Sequence, residues 1–180
     1  MSPLQRRMLK ELLQHLDELN VHIENLNDEI DNFMKPEEKQ ASQMIQDVTG
    51  IGNTSAQAII AVIGTDMERF PSDRHISSWA GLCPGDNISA KKRKGGKIRK
   101  GNALLKSTLV LCAHAAVRHK SSYFHAQFKR ISTHRGKKRA YVAVAHSILI
   151  AIYHILKDGV KYQDLGAEYY NQFNAERKIH

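Results

Sequence analysis

"TGIGNTSAQAIIAVIG" (residues 49–64) places two glycines one residue apart, then short polar side chains, then an apolar stripe of helical period. Gly50-Ile51-Gly52 makes a tight turn. Asn53 or Thr54 caps the helix that follows, because a short polar side chain accepts from N–H groups that a first turn leaves unpaired. Ala56, Ile59, Ile60 and Ile63 give this helix one apolar face, and Gly64 ends it. Residues 37–47 read as a short helix before the turn. The pattern fits a helix-hairpin-helix, whose glycines let backbone N–H groups approach a nucleic-acid phosphate with no side chain in the way. It also fits an ordinary corner between two helices. On the first reading, Gly50, Gly52 and Asn53 contact the DNA backbone and position the protein without reading sequence.

Working outward, the N-terminal side is a heptad repeat. Leu9, Leu16, Ile23 and Ile30 fall at a, and Leu12, Leu19, Leu26 and Phe33 at d, with polar residues filling most other positions. A seam this narrow favours a coiled coil over a helix packed on its own domain. A second chain or another helix of the same protein would fill it equally well. Lys35-Pro36 ends the helix. On the C-terminal side, a short helix over 73–80 is expected to turn Ile76 and Trp79 inward. Further helices are expected over 102–119, 121–132 and 140–157, the last stopped by Gly159. The chain is therefore expected to be mainly α. A coiled-coil helix spans 4–35, a compact helical domain 41–160, and a polar, aromatic surface tail 161–180.

Charge divides along the chain. Residues 1–40 hold five Lys/Arg and nine Asp/Glu, whereas residues 41–180 hold twenty-two and nine. Between Asp86 and Asp158 no acidic residue occurs, and seventeen Lys/Arg do. Ordinary solvated surfaces mix both signs, so a long single-sign stretch points to a polyanion partner. Cys83 and Cys112 have neither metal-site nor disulfide-framework spacing and read as small core residues. Asp66, Asp73 and Asp86 make no paired-carboxylate set, so no metal or other cofactor site is expected. The apolar run at 141–156 is too short to span a bilayer. With no signal peptide at the start, the chain reads as cytoplasmic.

The densest charge lies in "PGDNISAKKRKGGKIRKGN" (residues 84–102): Ser89, then Lys91, Lys92, Arg93, Lys94, Lys97, Arg99 and Lys100. Its glycines and proline predict a loop or hairpin, with short strands around Ile88 and Ile98. Two readings stand side by side. In one, the segment clamps phosphates and Ser89 merely hydrogen-bonds to them. In the other, the cations stabilise charge that builds on a phosphodiester while a serine attacks it. Arg93 and Arg99 suit that role best, because a guanidinium meets phosphate through two parallel hydrogen bonds. Lys137, Lys138 and Arg139 form a second basic cluster.

The stretch from Gly64 to Asn102, together with "RGKKRAYVAVAHSILIAIYHILKDG" (residues 135–159), resembles the C-terminal transposase domain of the insertion-sequence 110/116/902 family. The likeness runs from about Ile45 to about Tyr170. It implies a serine nucleophile, and Ser89 matches it in a pattern of Gly81, Leu82, Pro84 and Ser89; Ala90 stands where many members have glycine. It also implies a covalent phosphoserine intermediate and strand exchange guided by a structured RNA. A RuvC-like domain would carry metal-binding acidic residues and any divalent metal. No such domain precedes the heptads, so the chain reads as a fragment or a truncated copy. The expected function is the serine-bearing part of a DNA transposase or recombinase in a bacterial or archaeal nucleoid, oligomeric through its coiled coil and inactive in isolation. The alternative is a non-catalytic nucleic-acid-binding and oligomerisation module.

Overall fold

The computed structural model describes residues 1–83 and 100–170, and between them the backbone of Ile88–Ser89 and Lys92–Arg93. The fold is mainly helical, as its periodicities predict. It divides into two compact units, Met1–Lys39 and Gln40–His180.

The first unit is dominated by α1, Pro3–Phe33. Its start carries a reciprocal cap: the Ser2 hydroxyl accepts from the Gln5 N–H, and the Gln5 side chain accepts from the Ser2 N–H. Pro3 stands at the first helical position, where its missing N–H costs nothing. None of the residues of α1 is buried. The heptad positions lie open along its length, from Ile30 at 44% exposure to Phe33 at 90%.

In the second unit, α2 (Pro36–Gln46, which begins in the first unit) leads to α3 (Asn53–Ile63), a 3-10 turn (Met67–Arg69) and α4 (Asp73–Trp79). Then come two short strands, β1 (Ile88–Ser89) and β2 (Lys92–Arg93), and helices α5 (Ala103–Ala116), α6 (Tyr123–Arg135) and α7 (Lys137–Asp158). The core is built around α7, against which α4, α5 and α6 all pack, while α3 packs on α5. Val144, Ala145, Ile148, Leu149, Ile152 and Tyr153 are buried along α7. The Tyr153 hydroxyl donates to the Phe70 carbonyl at 3.0 Å, which keeps its polar end satisfied.

Two expectations need correction. The apolar run at 141–156 lies in a helix of 22 residues, long and apolar enough to cross a membrane, though its apolar face is the core of this domain. Trp79 does not face inward: it is 40% exposed, with its ring tilted on Phe70 at 5.5 Å.

The segment after α7 is also more than a surface tail. Asp164 accepts hydrogen bonds from the Tyr123 N–H at 2.8 Å, the Thr49 hydroxyl and the Tyr162 hydroxyl, both at 3.3 Å, and the Gly166 N–H at 2.8 Å. One carboxylate thus ties this segment to the start of α6 and to the hairpin before α3. Burial, reinforced by Asp164, raises the Tyr162 hydroxyl well above the ordinary tyrosine range and keeps it a donor.

Candidate nucleic-acid interface

The residues that flank the basic segment, Gly81 and Gly101, lie side by side. Ser77 and Ser78 carbonyls accept from the Leu82 and Gly81 N–H groups, and Leu82 is buried. The returning chain passes so close that a Cβ on Gly101 would lie 2.3 Å from the Gly81 nitrogen and 2.5 Å from the Ala80 oxygen. No side chain fits there, so glycine sets the separation of the two ends. Asn102 then caps α5 by accepting from the Leu105 N–H at 2.9 Å.

Within the segment, β1 and β2 pair antiparallel, with Ser89 opposite Lys92 and Ile88 opposite Arg93. The strand expected around Ile98 lies outside the described residues. Lys91, Lys94, Lys97 and Arg99 lie outside the described residues, and of Ser89, Lys92 and Arg93 only the backbone is described. Lys100, at the end, is exposed.

At the foot of the segment, the Cys83 sulfur lies 3.9 Å from His146 Nε2 on α7. Burial lowers the His146 pKa below its ordinary 6.5, and the Asp73 charge opposes this only in part. As pH falls, the unfolded chain therefore takes up this proton before the folded one. Stability is expected to drop as pH falls below about 6.5, until the lowered folded value is passed. His146→Gln should melt less pH-sensitively than the parent between pH 7.5 and 5; equal slopes for the two proteins would remove this coupling.

In the turn between α2 and α3, the Val48 N–H bonds to the Ile45 carbonyl and the Ile51 N–H to the Val48 carbonyl. Its two glycines do different work. Gly50 has φ +95°, and a Cβ there would lie 2.5 Å from the Cys112 oxygen and 2.6 Å from the Ala116 nitrogen of α5. The close approach made by Gly50 is to the protein's own backbone. Gly52 has nothing within 4 Å of its Cβ position. It stands at the start of α3, where no side chain caps the helix. The exposed Asn53 instead accepts from the Gln46 amide at 3.4 Å. An open, uncapped helix start next to glycine is what a phosphate oxygen can approach.

Lys137, Lys138 and Arg139 are all exposed at the start of α7, directly after His134 and Arg135 in the last turn of α6. Tyr141 just beyond packs between helices, stacked on His114 at 3.6 Å and tilted on Phe128 at 4.5 Å. Sequence reading passed over a further cluster, Lys120, Lys129 and Arg130. Its only signal was membership of the acid-free stretch. Among the described residues, no three His, Cys, Asp or Glu side chains gather into a set that would hold a metal ion.

Residues 42–129 match the family model described as the transposase IS116/IS110/IS902 family. The chain is 32% identical over 108 residues to the transposase for insertion sequence element IS1111A of Coxiella burnetii, covering 58% of this chain and 29% of that protein. It is 28% identical over 131 residues to the insertion element IS110 uncharacterized 43.6 kDa protein of Streptomyces coelicolor, covering 71% of this chain and 31% of that protein. The chain thus spans roughly three tenths of the length of these relatives.

Proposed function

We propose that this chain, whose residues 42–129 match the model of the IS116/IS110/IS902 transposase family, supplies the serine nucleophile with which a transposase cuts and rejoins DNA. The observation that carries the reading is the position of Ser89. It lies within the matched residues, opposite Lys92, in a lysine- and arginine-rich segment of sequence whose flanking residues Gly81 and Gly101 lie side by side.

The chemistry is a phosphoryl transfer. The Ser89 oxygen attacks a backbone phosphorus, a serine–phosphate ester forms, and the bond to the neighbouring deoxyribose oxygen breaks. The hydroxyl proton leaves to solvent or a base, and the departing oxygen takes up a proton. Because the phosphate remains esterified, a second DNA end can attack it, release the serine and join the strands with no outside energy source. Negative charge grows on the phosphoryl oxygens during both transfers, and Lys/Arg groups held beside them lower the barrier. Arg93 and Arg99 suit this role. Gly52, Asn53 and the Lys137–Arg139 cluster would hold the flanking backbone, and a structured guide RNA would occupy part of the same positive surface. The open heptad seam of α1 would pair with a second copy, bringing two serines to two strands.

The test is covalent capture. Incubation of the whole protein carrying this sequence with its target DNA, followed by denaturation and peptide mapping, should recover a nucleotide attached to Ser89. Bound DNA that is cut without any serine-linked product would defeat the proposal. Reversible binding by residues 1–180 should weaken steeply with salt, by a log–log slope of roughly −0.9 per phosphate neutralised on duplex DNA. A flat response would remove the electrostatic part.

A further inference from the structure

Beside α6 lies a groove of about 390 Å³ whose lining includes Lys120, His125, Lys129, Arg130, Thr133 and Tyr170. His125, Lys129 and Thr133 follow one another at four-residue spacing, so they form one ridge of the helix. Lys120 comes from the turn just before it. Lys120, Lys129 and Arg130 are exposed, and neither lysine has a carboxylate within ion-pair distance among the described residues. Among the described residues, Glu168 is the one carboxylate on the lining, against three permanent cations.

The groove is also ordered in advance. The Arg130 guanidinium lies 4.4 Å over the Tyr170 ring. That ring stacks on Tyr123 at 5.4 Å, and its hydroxyl donates to the Tyr123 hydroxyl at 2.7 Å. An arginine laid on a ring has already given up much of the freedom it would lose on gripping a ligand. His125 Nδ1 donates to the Val117 carbonyl at 2.7 Å, which fixes the ring against the wall of the groove. Thr133 adds a hydroxyl, although this already donates to the Lys129 carbonyl at 2.9 Å. The volume is that of a site for a small ligand or one nucleotide unit. Two lysines with no carboxylate at ion-pair distance among the described residues, beside a stacked guanidinium, are the equipment of a phosphate site.

We propose that this groove binds the phosphodiester backbone of the nucleic-acid partner, as a contact separate from the basic segment and from Lys137–Arg139. This inference rests on the proposed action on nucleic acid, and it adds a second point of attachment that would hold a strand on the α6 side of the domain.

The test compares Lys120→Ala/Lys129→Ala with the parent chain on two probes, a 20-base-pair DNA duplex and a single-stranded RNA of 20 nucleotides. Removing two phosphate contacts should lower affinity about tenfold at moderate salt. It should also flatten the log–log salt dependence by about 1.8 on the duplex or about 1.4 on the single strand. Loss on the duplex alone makes the ligand DNA, and loss on RNA alone makes it RNA; either outcome upholds the groove. Parent-like affinity and slope on both probes, while Lys137→Ala/Lys138→Ala weakens binding, would overturn the groove and leave the proposed function standing. If the parent chain binds neither probe at low salt, both readings fall. Should the double variant melt early, Lys129→Gln alone carries the comparison, with half the change in slope.

Discussion

Ser89→Ala is expected to abolish strand cleavage and covalent attachment of DNA while leaving binding nearly unchanged. The variant removes one oxygen and nothing else. If that oxygen is the attacking atom, no neighbouring group replaces it, and the rate should fall by roughly four orders of magnitude or more, as when the nucleophile of an enzyme is deleted. Affinity should respond far less. A neutral hydroxyl contributes at most about 1 kcal/mol through a hydrogen bond, and the surrounding cations carry most of the attraction to the backbone. The measurement is cleavage and equilibrium binding on the same DNA, using the whole protein that carries this sequence. Cleavage by Ser89→Ala at the parent rate would end the nucleophile reading. Equal loss of binding and cleavage would reduce Ser89 to part of a phosphate clamp.

Gly50→Ala is expected to be among the most damaging single-methyl changes in the described part of the domain. Two independent costs meet there. At φ +95° a side chain is strained whatever the space around it. In addition, the new Cβ would sit 2.5 Å from a carbonyl oxygen and 2.6 Å from a nitrogen of α5, backbone atoms that cannot rotate away. Strain and overpacking each cost about 1–3 kcal/mol, so a loss of roughly 2–6 kcal/mol is expected. Against the roughly 5–15 kcal/mol typical of a folded domain, that is a large share. Gly52→Ala is the control. It stands two residues away with φ −101° and free space, so its stability should change by no more than about 1 kcal/mol. Urea midpoints of the two variants check this directly. Similar midpoints would mean that the α5 contact does not constrain the hairpin. The control has a second use: parent stability with weakened DNA binding in Gly52→Ala would support phosphate approach at the start of α3.

These two glycines show how far the sequence can be read. Both fall in one turn, and spacing alone assigned both to a phosphate contact. The tertiary structure divides them, because α5 comes down on Gly50 from Cys112 and Ala116, more than sixty residues further along the chain. The tail presents the same difficulty. Its tyrosines and Asp164 are visible as residue types, yet their attachment to Tyr123 and Thr49 depends on where α7 delivers the chain. The groove beside α6 shares this cause, since Tyr170 and Lys120 are fifty residues apart.

By itself the sequence determined the mainly helical architecture, most helix boundaries, the heptad pattern of α1, the acid-free basic stretch and the resemblance to the IS116/IS110/IS902 transposase family. These features are written in near neighbours: caps, three- and four-residue spacings, glycine turns, and motifs of contiguous residues. Only the tertiary structure decided which glycine is pressed into the core, where the two ends of the basic segment are pinned, and which cations share a groove. Each of these depends on a contact between chain segments far apart in sequence, and no local spacing records which distant backbone will arrive there.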